Sequence, residues 1–430
     1  MLVALRHPLL DRSRARSAGL SRPPLSLPFS LLLAAVIASS AAAAAWSEEP
    51  PPQFLIEKIS VTGVSKPAAR EITISQSLLK PGQSYGERQL REAVYRVKRL
   101  PFVLDADFTL RKGSERGTFE LVIAVEQNKP VFLDYSVTGT YSQSRPGPHG
   151  SFEVNHDVTA GARAFVGQDG LLFASATSGF LAGAQGPLQV GYTRYNLFGN
   201  DSFASVAVGT NSRLNNHPVV ASGSVGLPLT GNNSLRADLT WSLSNGGPLL
   251  QHSRTWGADL QWLYRTTDNP VFPTRGIDFQ ARVSDAWETL TGLDFLRAAQ
   301  VRQQVTSPGI AVSAIKYFPL GRRQSVAVGL ASGAFRETLD LTSMGAARHQ
   351  TETAWGAGAG LGHNLELWSG PPARRIGDLW LESAVNFSWS DLGFSTAPAF
   401  GRVTASTGLV LRNEWGIVRA SFAFAGREMR

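Results

Sequence analysis

The residues that could carry chemistry in this chain are few, and none stands in a catalytic setting. The segment Gly82–Gly86 matches G-x-S-x-G, the pattern in which Ser84 would be a nucleophile at the turn between a strand and a helix. Here Pro81 and helix-forming residues precede the pattern, and Ser84 and Glu87 have the spacing of a capping box. We therefore predict that Ser84 caps a helix. A serine hydrolase is the alternative reading of this segment.

The sequence also lacks the spacing that metal and phosphate sites require. The seven histidines show neither H-x-x-x-H nor H-E-x-x-H spacing, and the chain has no cysteine. No G-x-x-x-x-G-K-[ST] phosphate loop is present. Carboxylates such as Asp238, Asp259 and Glu382 alternate with apolar residues, and we expect them to pair with arginines. We expect no enzyme activity, no cofactor and no metal site.

The composition is that of neither an average soluble domain nor a nucleic-acid-binding protein. Charged residues make up 17% of the chain, against roughly 25% in ordinary soluble domains. The net charge of +8 is concentrated at the start, because residues 1–45 contain five arginines and only one acidic residue. The rest of the chain shows no basic stripe, so we expect no nucleic-acid partner.

Residues 1–45 have the features of a signal peptide. An arginine-bearing segment is followed by an apolar run over Phe29–Ala38, and alanines up to Ala45 supply A-x-A cleavage sites. An uncleaved membrane anchor is the alternative. Residues 46–53 then form a polar, proline-rich linker. Beyond Ala45 there is no apolar run of about 18 residues, so no membrane-spanning helix is predicted there.

Residues 54–127 combine helical and strand periodicities and predict a small α+β domain. A short extended segment ends at Gly63, a first helix is predicted from Pro67 to about Leu79, and a second helix follows the capping box. Two alternating segments then predict a pair of strands, so the order is β-α-α-β-β. The defining apolar residues are Leu90, Ala93, Val94, Val97 and Leu100 on the second helix, Ala106, Phe108 and Leu110 on one strand, and Phe119, Leu121, Ile123 and Val125 on the other.

From residue 130 to residue 425, one segment after another alternates between apolar and polar residues. Segments of about ten alternating residues with turns between them are typical of a transmembrane β-barrel. Lipid offers the backbone no hydrogen bonds, so only a closed ladder of strands can span it. The apolar faces of three such segments are Leu235, Ala237, Leu239, Trp241 and Leu243; Trp256, Ala258, Leu260, Trp262 and Tyr264; and Leu379, Leu381, Val385, Phe387 and Trp389.

We therefore predict a mostly β protein, in which the α+β domain precedes a transmembrane antiparallel barrel of sixteen strands. The count of candidate strands is roughly 14 to 16, and barrels of this kind usually have an even number. Trp256, Trp262 and Tyr264 bracket one apolar strand, as aromatic residues do at a membrane interface. A large soluble β-sandwich is the alternative, because its strands also alternate.

Two parts of the sequence resemble one known family. Residues 54–126 are similar to a POTRA domain, and residues 130–425 are similar to the barrel of the outer-membrane BamA/TamA-like bacterial surface antigen superfamily, which includes two-partner-secretion proteins. The POTRA-like residues are Phe54, Ile56, Ile59, Val61 and Gly63, then Gly82 and Tyr85, and finally Leu121–Glu126. The barrel motifs are Tyr195–Gly199, with Asn196, Phe198 and Gly199, and Asp268–Gly276, with Asp268, Phe272, Pro273, Arg275 and Gly276.

The resemblance implies an outer-membrane protein of a Gram-negative bacterium that inserts or translocates other proteins. Its POTRA domain would lie in the periplasm, and its partners would be outer-membrane lipid, client polypeptides and other subunits of an assembly machinery. Clients would bind by β-augmentation at the POTRA domain or at the barrel seam, between about Phe132–Gln143 and Trp415–Ala425. A passive pore or structural barrel without protein transport is the alternative function.

Three features depart from the family pattern. The chain has one POTRA-like domain, not a row of them, and residues 426–430 continue past the last aromatic residue, Phe424. The family's Val-Arg-Gly-Phe/Tyr loop motif is not visible. The nearest segment is Met344–Arg348, which makes Arg348 the candidate for a residue on a loop inside the lumen.

A run of alternating glycines predicts one special face of the barrel wall. Gly356, Gly358, Gly360 and Gly362 share one side of a predicted strand. Glycine in a strand marks close approach by another backbone. We hypothesise that this face looks into the lumen and leaves room for a folded-in loop. A bend in the wall is the alternative.

Overall fold

The computed structural model describes residues 52–142, 151–179, 184–198, 202–210, 219–245, 252–294, 299–321, 323–343, 346–369, 377–391 and 400–426. The predicted signal peptide, residues 1–45, and residues 46–51 of the linker lie outside this part of the chain. The described strands form two sheets, one of four strands and one of sixteen. No helix in the described segments is long and apolar enough to cross a membrane.

The four-stranded sheet and two helices form the unit Gln53–Gln127, which we call the α+β unit. Its elements are β1 Gln53–Thr62, α1 Pro67–Ser77, β2 Gln83–Gly86, α2 Glu87–Lys98, β3 Val103–Lys112 and β4 Thr118–Gln127. The sheet order is β2-β1-β4-β3, with β1 parallel to β4. Ile56, Ile72, Leu90 and Ile123, each at most 1% exposed, are among the residues that pack the helices onto the sheet.

The prediction that Ser84 caps the second helix is wrong. Ser84 lies in β2, where it pairs with Leu55 of β1, and α2 begins three residues later at Glu87. Gly86 precedes the helix instead, and its N–H donates to Gln89 Oε1 at 2.9 Å. The edge of β1 gives the Ser84 segment backbone hydrogen bonds, and this pairing takes precedence over the local capping pattern. The order is therefore β-α-β-α-β-β.

The sixteen-stranded sheet closes into a barrel. Neighbouring strands in sequence pair antiparallel from β5 to β13 and from β15 to β20, and β20 closes the ring on β5. The strands are β5 Val131–Ser142, β6 Ser151–Val166, β7 Gly170–Gly179, β8 Ala184–Tyr195, β9 Phe203–Thr210, β10 Val219–Pro228, β11 Asn233–Asn245, β12 His252–Arg265, β13 Gly276–Asp294, β14 Ala299–Thr306, β15 Gly309–Pro319, β16 Gln324–Ser343, β17 Ala346–Ser369, β18 Asp378–Asp391, β19 Phe400–Asn413 and β20 Gly416–Ala425.

The sixteen described strands occupy fifteen positions around the wall, because β14 and β15 share one. Both lie between β13 and β16, and their register with each neighbour continues unchanged across the two residues that separate them. Ser307 N–H donates to Ala286 O at 2.8 Å, and Arg336 N–H donates to Pro308 O at 2.9 Å. Pro308 has no N–H to donate, which explains the interruption.

The odd number of positions fixes the direction of the closing pair. Consecutive strands alternate in direction, so the first and the last of fifteen run the same way. Accordingly, β5 and β20 pair parallel over eight residues each, from Tyr135 opposite Val418 to Ser142 opposite Ala425. We call this pair the seam. The barrel is antiparallel everywhere else among the described strands.

The apolar face of the strands points outward, as predicted. Leu239, Leu260 and Val385 are 51–63% exposed, whereas Ala384 and Val410 on the alternate face are at most 8% exposed. Tryptophans mark one border of this apolar belt. Trp241, Trp256 and Trp287 lie side by side on β11, β12 and β13, and the rings of Trp355 and Trp389 lie 4.0 Å apart between centroids. An apolar outer belt bordered by aromatic residues is typical of membrane barrels.

Beyond the tryptophan border, several strands continue with the opposite polarity. On β16 the outward residues change from Val326, Val328 and Leu330 to Arg336 and Asp340, without a shift in register. On the inward face there, Leu339 is 6% exposed. Water favours polar residues outside, and lipid favours apolar ones, so this inversion marks where the wall leaves the apolar belt.

Candidate functional site

One turn of the barrel folds inward instead of projecting from the rim. It connects β12 to β13 over residues 266–275, contains the Asp268–Gly276 motif, and is called the motif turn here. The carboxylate of Asp268 holds it together by accepting hydrogen bonds from the N–H groups of Thr274 at 2.9 Å and Arg275 at 3.3 Å, and from the Thr274 hydroxyl. Gly276 follows with φ +108° and begins β13, and a Cβ there would clash with the backbone of Thr266.

Phe272 is the residue that this fold inserts into the barrel. Its side chain is 1% exposed and stacks on Trp380 of β18, with ring centroids 4.7 Å apart and planes 11° from parallel. Val410 of β19, Ile417 of β20 and the neighbouring Val271 also belong to this cluster. Because Trp380, Val410 and Ile417 all point into the lumen, the ring crosses the opening from β12 and β13 to the far wall, next to the seam.

Pro273 anchors the motif turn to the same wall. Its carbonyl oxygen accepts a hydrogen bond from Ser325 Oγ of β16 at 2.9 Å and lies 3.5 Å from Asn364 Nδ2 of β17. A proline carbonyl retains its acceptor lone pairs, so the missing N–H costs nothing here. The motif turn therefore contacts β16, β17, β18, β19 and β20 from inside the lumen.

Helix α2 of the α+β unit lies against the motif turn. Tyr95 OH accepts a hydrogen bond from the guanidinium of Arg275, and Arg99 Nη2 donates to the carbonyl oxygens of Arg265 at 3.3 Å and Thr267 at 3.2 Å. One turn of helix away, Arg96 Nη1 donates to Gly231 O at 2.5 Å in the β10–β11 turn. Residues 95, 96 and 99 share one face of the helix, and that face covers this end of the barrel, which we call the near rim.

Arg99 carries a largely buried charge at this contact. Burial, with a smaller contribution from the nearby Arg265, lowers the pKa of Arg99 to about 10. The guanidinium thus stays protonated at neutral pH while its hydrogen bonds go to carbonyl oxygens of the motif turn and the end of β12. A buried charge needs such partners to offset the loss of water.

The second segment singled out in the sequence, Tyr195–Gly199, also lies at the near rim. Tyr195 is 6% exposed and belongs to the same apolar cluster as the core of the α+β unit, together with Leu171. Asn196 has φ +54°, a left-handed conformation that asparagine tolerates better than most residues. Phe198 is 73% exposed, and Gly199 lies outside the described residues. The two motifs thus flank the α+β unit.

The seam is fastened at the near rim. Ile417 N–H donates to Asp134 Oδ1 at 2.8 Å, Leu133 N–H donates to Trp415 O at 2.8 Å, and Lys129 Nζ lies 3.3 Å from Glu414. Farther along, Thr138 and Ser421 share a hydrogen bond of 3.0 Å. Two of these three polar side-chain links therefore lie where the α+β unit joins the barrel.

The predicted carboxylate–arginine pairs line the lumen. Arg236 and Asp238 lie 2.9 Å apart, Arg282 and Asp259 lie 2.6 Å apart, and Arg419 lies 3.6 Å from Glu382. These carboxylates have ion-pair partners, which was the expectation for them. Among the described residues, no group of three or more His, Cys, Asp or Glu could hold a metal ion.

The sequence analysis made two predictions about the lumen, one for the glycine face of β17 and one for Arg348. The glycine face of β17 does look into the lumen, but among the described residues no loop lies within 4 Å of a Cβ built at Gly358 or Gly362. The folded-in segment is the motif turn, which touches Asn364 at the end of that face. Arg348 pairs through its backbone with Leu341 of β16, and its side chain lies outside the described part.

The solved structures that are similar to the chain include one of BamA and two of CdiB. BamA from Haemophilus ducreyi lacking POTRA domains 1–3 gives a TM-score of 0.40 at 12% identity, over 87% of this chain and 82% of that one. CdiB from Escherichia coli gives a TM-score of 0.39 at 13% identity, over 84% of this chain and 70% of that one. CdiB from Acinetobacter baumannii gives a TM-score of 0.39 at 11% identity, over 84% of this chain and 68% of that one. No protein-family model and no curated protein sequence matches the chain.

Proposed function

We propose that this chain is an outer-membrane protein of a Gram-negative bacterium that inserts other polypeptides into the membrane or translocates them across it. It acts without enzyme chemistry or a cofactor. Residues 1–45 are its signal peptide, residues 54–127 a periplasmic POTRA domain and residues 130–425 the membrane barrel. The apolar outer belt with its tryptophan border supports the membrane location.

The observation that carries the proposal is the position of the motif turn. The residues that resemble the family motif bridge the α+β unit to the wall beside the seam, through Arg275 at one end and Phe272 at the other. A passive pore has no need of an aromatic side chain packed across its opening. A protein that passes polypeptides from a periplasmic domain to a barrel does need the two parts to be connected.

The client is proposed to bind at an exposed strand edge. Strand β2 pairs only with β1 among the described strands, so its other edge offers unpaired N–H and C=O groups. A client segment could add there as a further strand, with main-chain hydrogen bonds supplying affinity. Outer-membrane lipid and other subunits of an assembly machinery are the remaining proposed partners.

Reconstitution tests the activity directly. Vesicles that contain the full chain should speed the folding of a urea-unfolded outer-membrane barrel, relative to vesicles that contain an unrelated barrel. Ion conductance without any acceleration would favour the passive pore and overturn the proposal.

A photo-crosslinking residue tests the binding edge. Placed at the exposed Ser84 of β2, it should capture the client, whereas the same residue at the exposed Arg116, in the β3–β4 turn, should not. Equal capture at both positions would remove β2 as the client site.

A further inference from the structure

The outward face of the barrel has a groove beside the seam. It extends from Val326 of β16 and Leu361 of β17 across β18 and β19 to β20, and has a volume of about 500 Å³. Its floor is formed by the small outward side chains Ser383, Ala405 and Thr407, which lie side by side on β18 and β19. Elsewhere on the belt, outward residues such as Leu239 and Leu260 project from the wall.

Two aromatic residues form the wall of the groove on the seam side. Phe422 and Phe424 stand opposite Thr407 and Ala405 in the β19–β20 ladder. Phe422 stacks with Phe152 at 6.3 Å between ring centroids, and Phe424 stacks with Tyr141 at 5.8 Å. Both rings are therefore held toward β5 and β6, and they do not fold over the floor of the groove.

The chemistry of the groove suits a hydrocarbon chain. Its surface is almost wholly apolar carbon. The backbones of β18, β19 and β20 are paired in continuous ladders beneath it, so they offer no free N–H or C=O group. The hydroxyls of Ser383 and Thr407 bond to each other at 3.0 Å. A peptide strand would find no hydrogen-bond partners here, whereas an acyl chain needs none.

We propose that this groove seats one acyl chain of a membrane phospholipid, held beside the seam. The proposal rests on the membrane location proposed above, because acyl chains are what the outward belt meets there. His363, which borders the groove on β17, faces the same space. Since recognition is through the chain, binding is independent of the headgroup.

Lipid retention tests the proposal. The full chain is purified in detergent from vesicles of phosphatidylethanolamine, and bound phospholipid is counted by native mass spectrometry. The wild type should retain one phospholipid per barrel. Ala405→Phe puts a ring into the groove and should lower the bound fraction about tenfold, equivalent to about 1.4 kcal/mol. Thr407→Leu, a smaller filling change, should lower it less.

Ala237→Phe is the matched control, because Ala237 is also an outward alanine, between Val225 and Leu260 on the opposite wall. It should retain lipid as the wild type does, and phosphatidylglycerol should replace phosphatidylethanolamine without loss. Absence of bound lipid in the wild type, or equal retention in Ala405→Phe and Ala237→Phe, would overturn the groove assignment. A protein that stays soluble without detergent would instead overturn the membrane location itself.

Discussion

Removing the Phe272 ring should destabilise the barrel more than any other change in the motif turn. The side chain is 1% exposed, and its neighbours Trp380 and Val410 are 6% and 0% exposed, so Phe272→Ala leaves a gap that they cannot easily fill. Phenylalanine-to-alanine changes in cores cost about 3–5 kcal/mol. The stacked pair contributes about 0.5–1.5 kcal/mol beyond area. Because the lumen lies beside the gap and can supply water, we expect about 3 kcal/mol.

Phe198 provides the matched control. It is the phenylalanine of the segment Tyr195–Gly199 at the same rim, but it is 73% exposed. Phe198→Ala should change the free energy of unfolding by less than about 0.5 kcal/mol, as exposed substitutions do. Phe272→Leu, which keeps most of the apolar volume, should cost about 1.5 kcal/mol or less.

The measurement is reversible urea unfolding of the full chain in lipid vesicles, followed by tryptophan fluorescence. Trypsin cleavage after Arg275 gives a second readout. The Arg275 side chain is exposed, but its carbonyl oxygen accepts a hydrogen bond from the Asp268 N–H, so cleavage should become faster when Phe272 no longer holds the turn in the lumen. If Phe272→Ala and Phe198→Ala lower the free energy equally, and cleavage after Arg275 is unchanged, then Phe272 does not anchor the turn.

Three further changes test the hydrogen bonds and charges around this region. Asp268→Ala removes the acceptor for Thr274 and its neighbour, should cost about 1–3 kcal/mol, and should speed trypsin cleavage in the motif turn. Asp134→Ala removes the acceptor for Ile417 and should speed hydrogen exchange in the first half of β20. Burial, then Asp105 and other carboxylates, raises the pKa of Glu126, so Glu126→Gln should raise the melting temperature of the α+β unit at neutral pH.

The stabilisation expected for Glu126→Gln should depend on pH. An acid with a raised pKa in the folded state is destabilising when ionised, so the gain should be full above the raised pKa and vanish as pH falls toward the ordinary value of 4.5. The exposed Glu115 serves as the control, and Glu115→Gln should leave the melting temperature unchanged. A gain from Glu126→Gln that persists at pH 3 would contradict the electrostatic cause. For Asp134→Ala, an unchanged hydrogen-exchange rate of the Ile417 amide would contradict the role of Asp134 as the acceptor of that hydrogen bond.

The alternation of residue types was sufficient to predict which way the strands of the belt face. Leu239 and Leu260 point outward, and Asp238 and Asp259 point inward with arginine partners, because lipid and lumen impose opposite polarities on a period of two. The same rule could not locate the border of the belt. On β16 the polarity inverts at Arg336 with no break in the strand, so alternation alone gives the wrong side for apolar residues beyond it.

Local signals failed where long-range pairing decided the structure. A Ser-Pro dipeptide favours the start of a turn, yet the ladders with β13 and β16 continue through Ser307 and Pro308, so the described strands occupy fifteen positions in the wall. Ser84 has the spacing of a cap, yet it pairs with β1. The insertion of Phe272 into the lumen depends on Trp380, more than one hundred residues away, and no local pattern indicates it.

The odd number of strand positions gives the seam a geometric property that no other pair of neighbouring strands shares among the described strands of the wall. Two parallel neighbours cannot be exchanged for an antiparallel pair by sliding or tilting either one, since only a change in the number of strands alters their relative direction. A single extra strand between β5 and β20, running opposite to both, would turn the cylinder into an even-numbered one with antiparallel pairing throughout. Parallel pairing is slightly less stable per residue than antiparallel pairing, so the present closure is the weakest joint per residue in the ring.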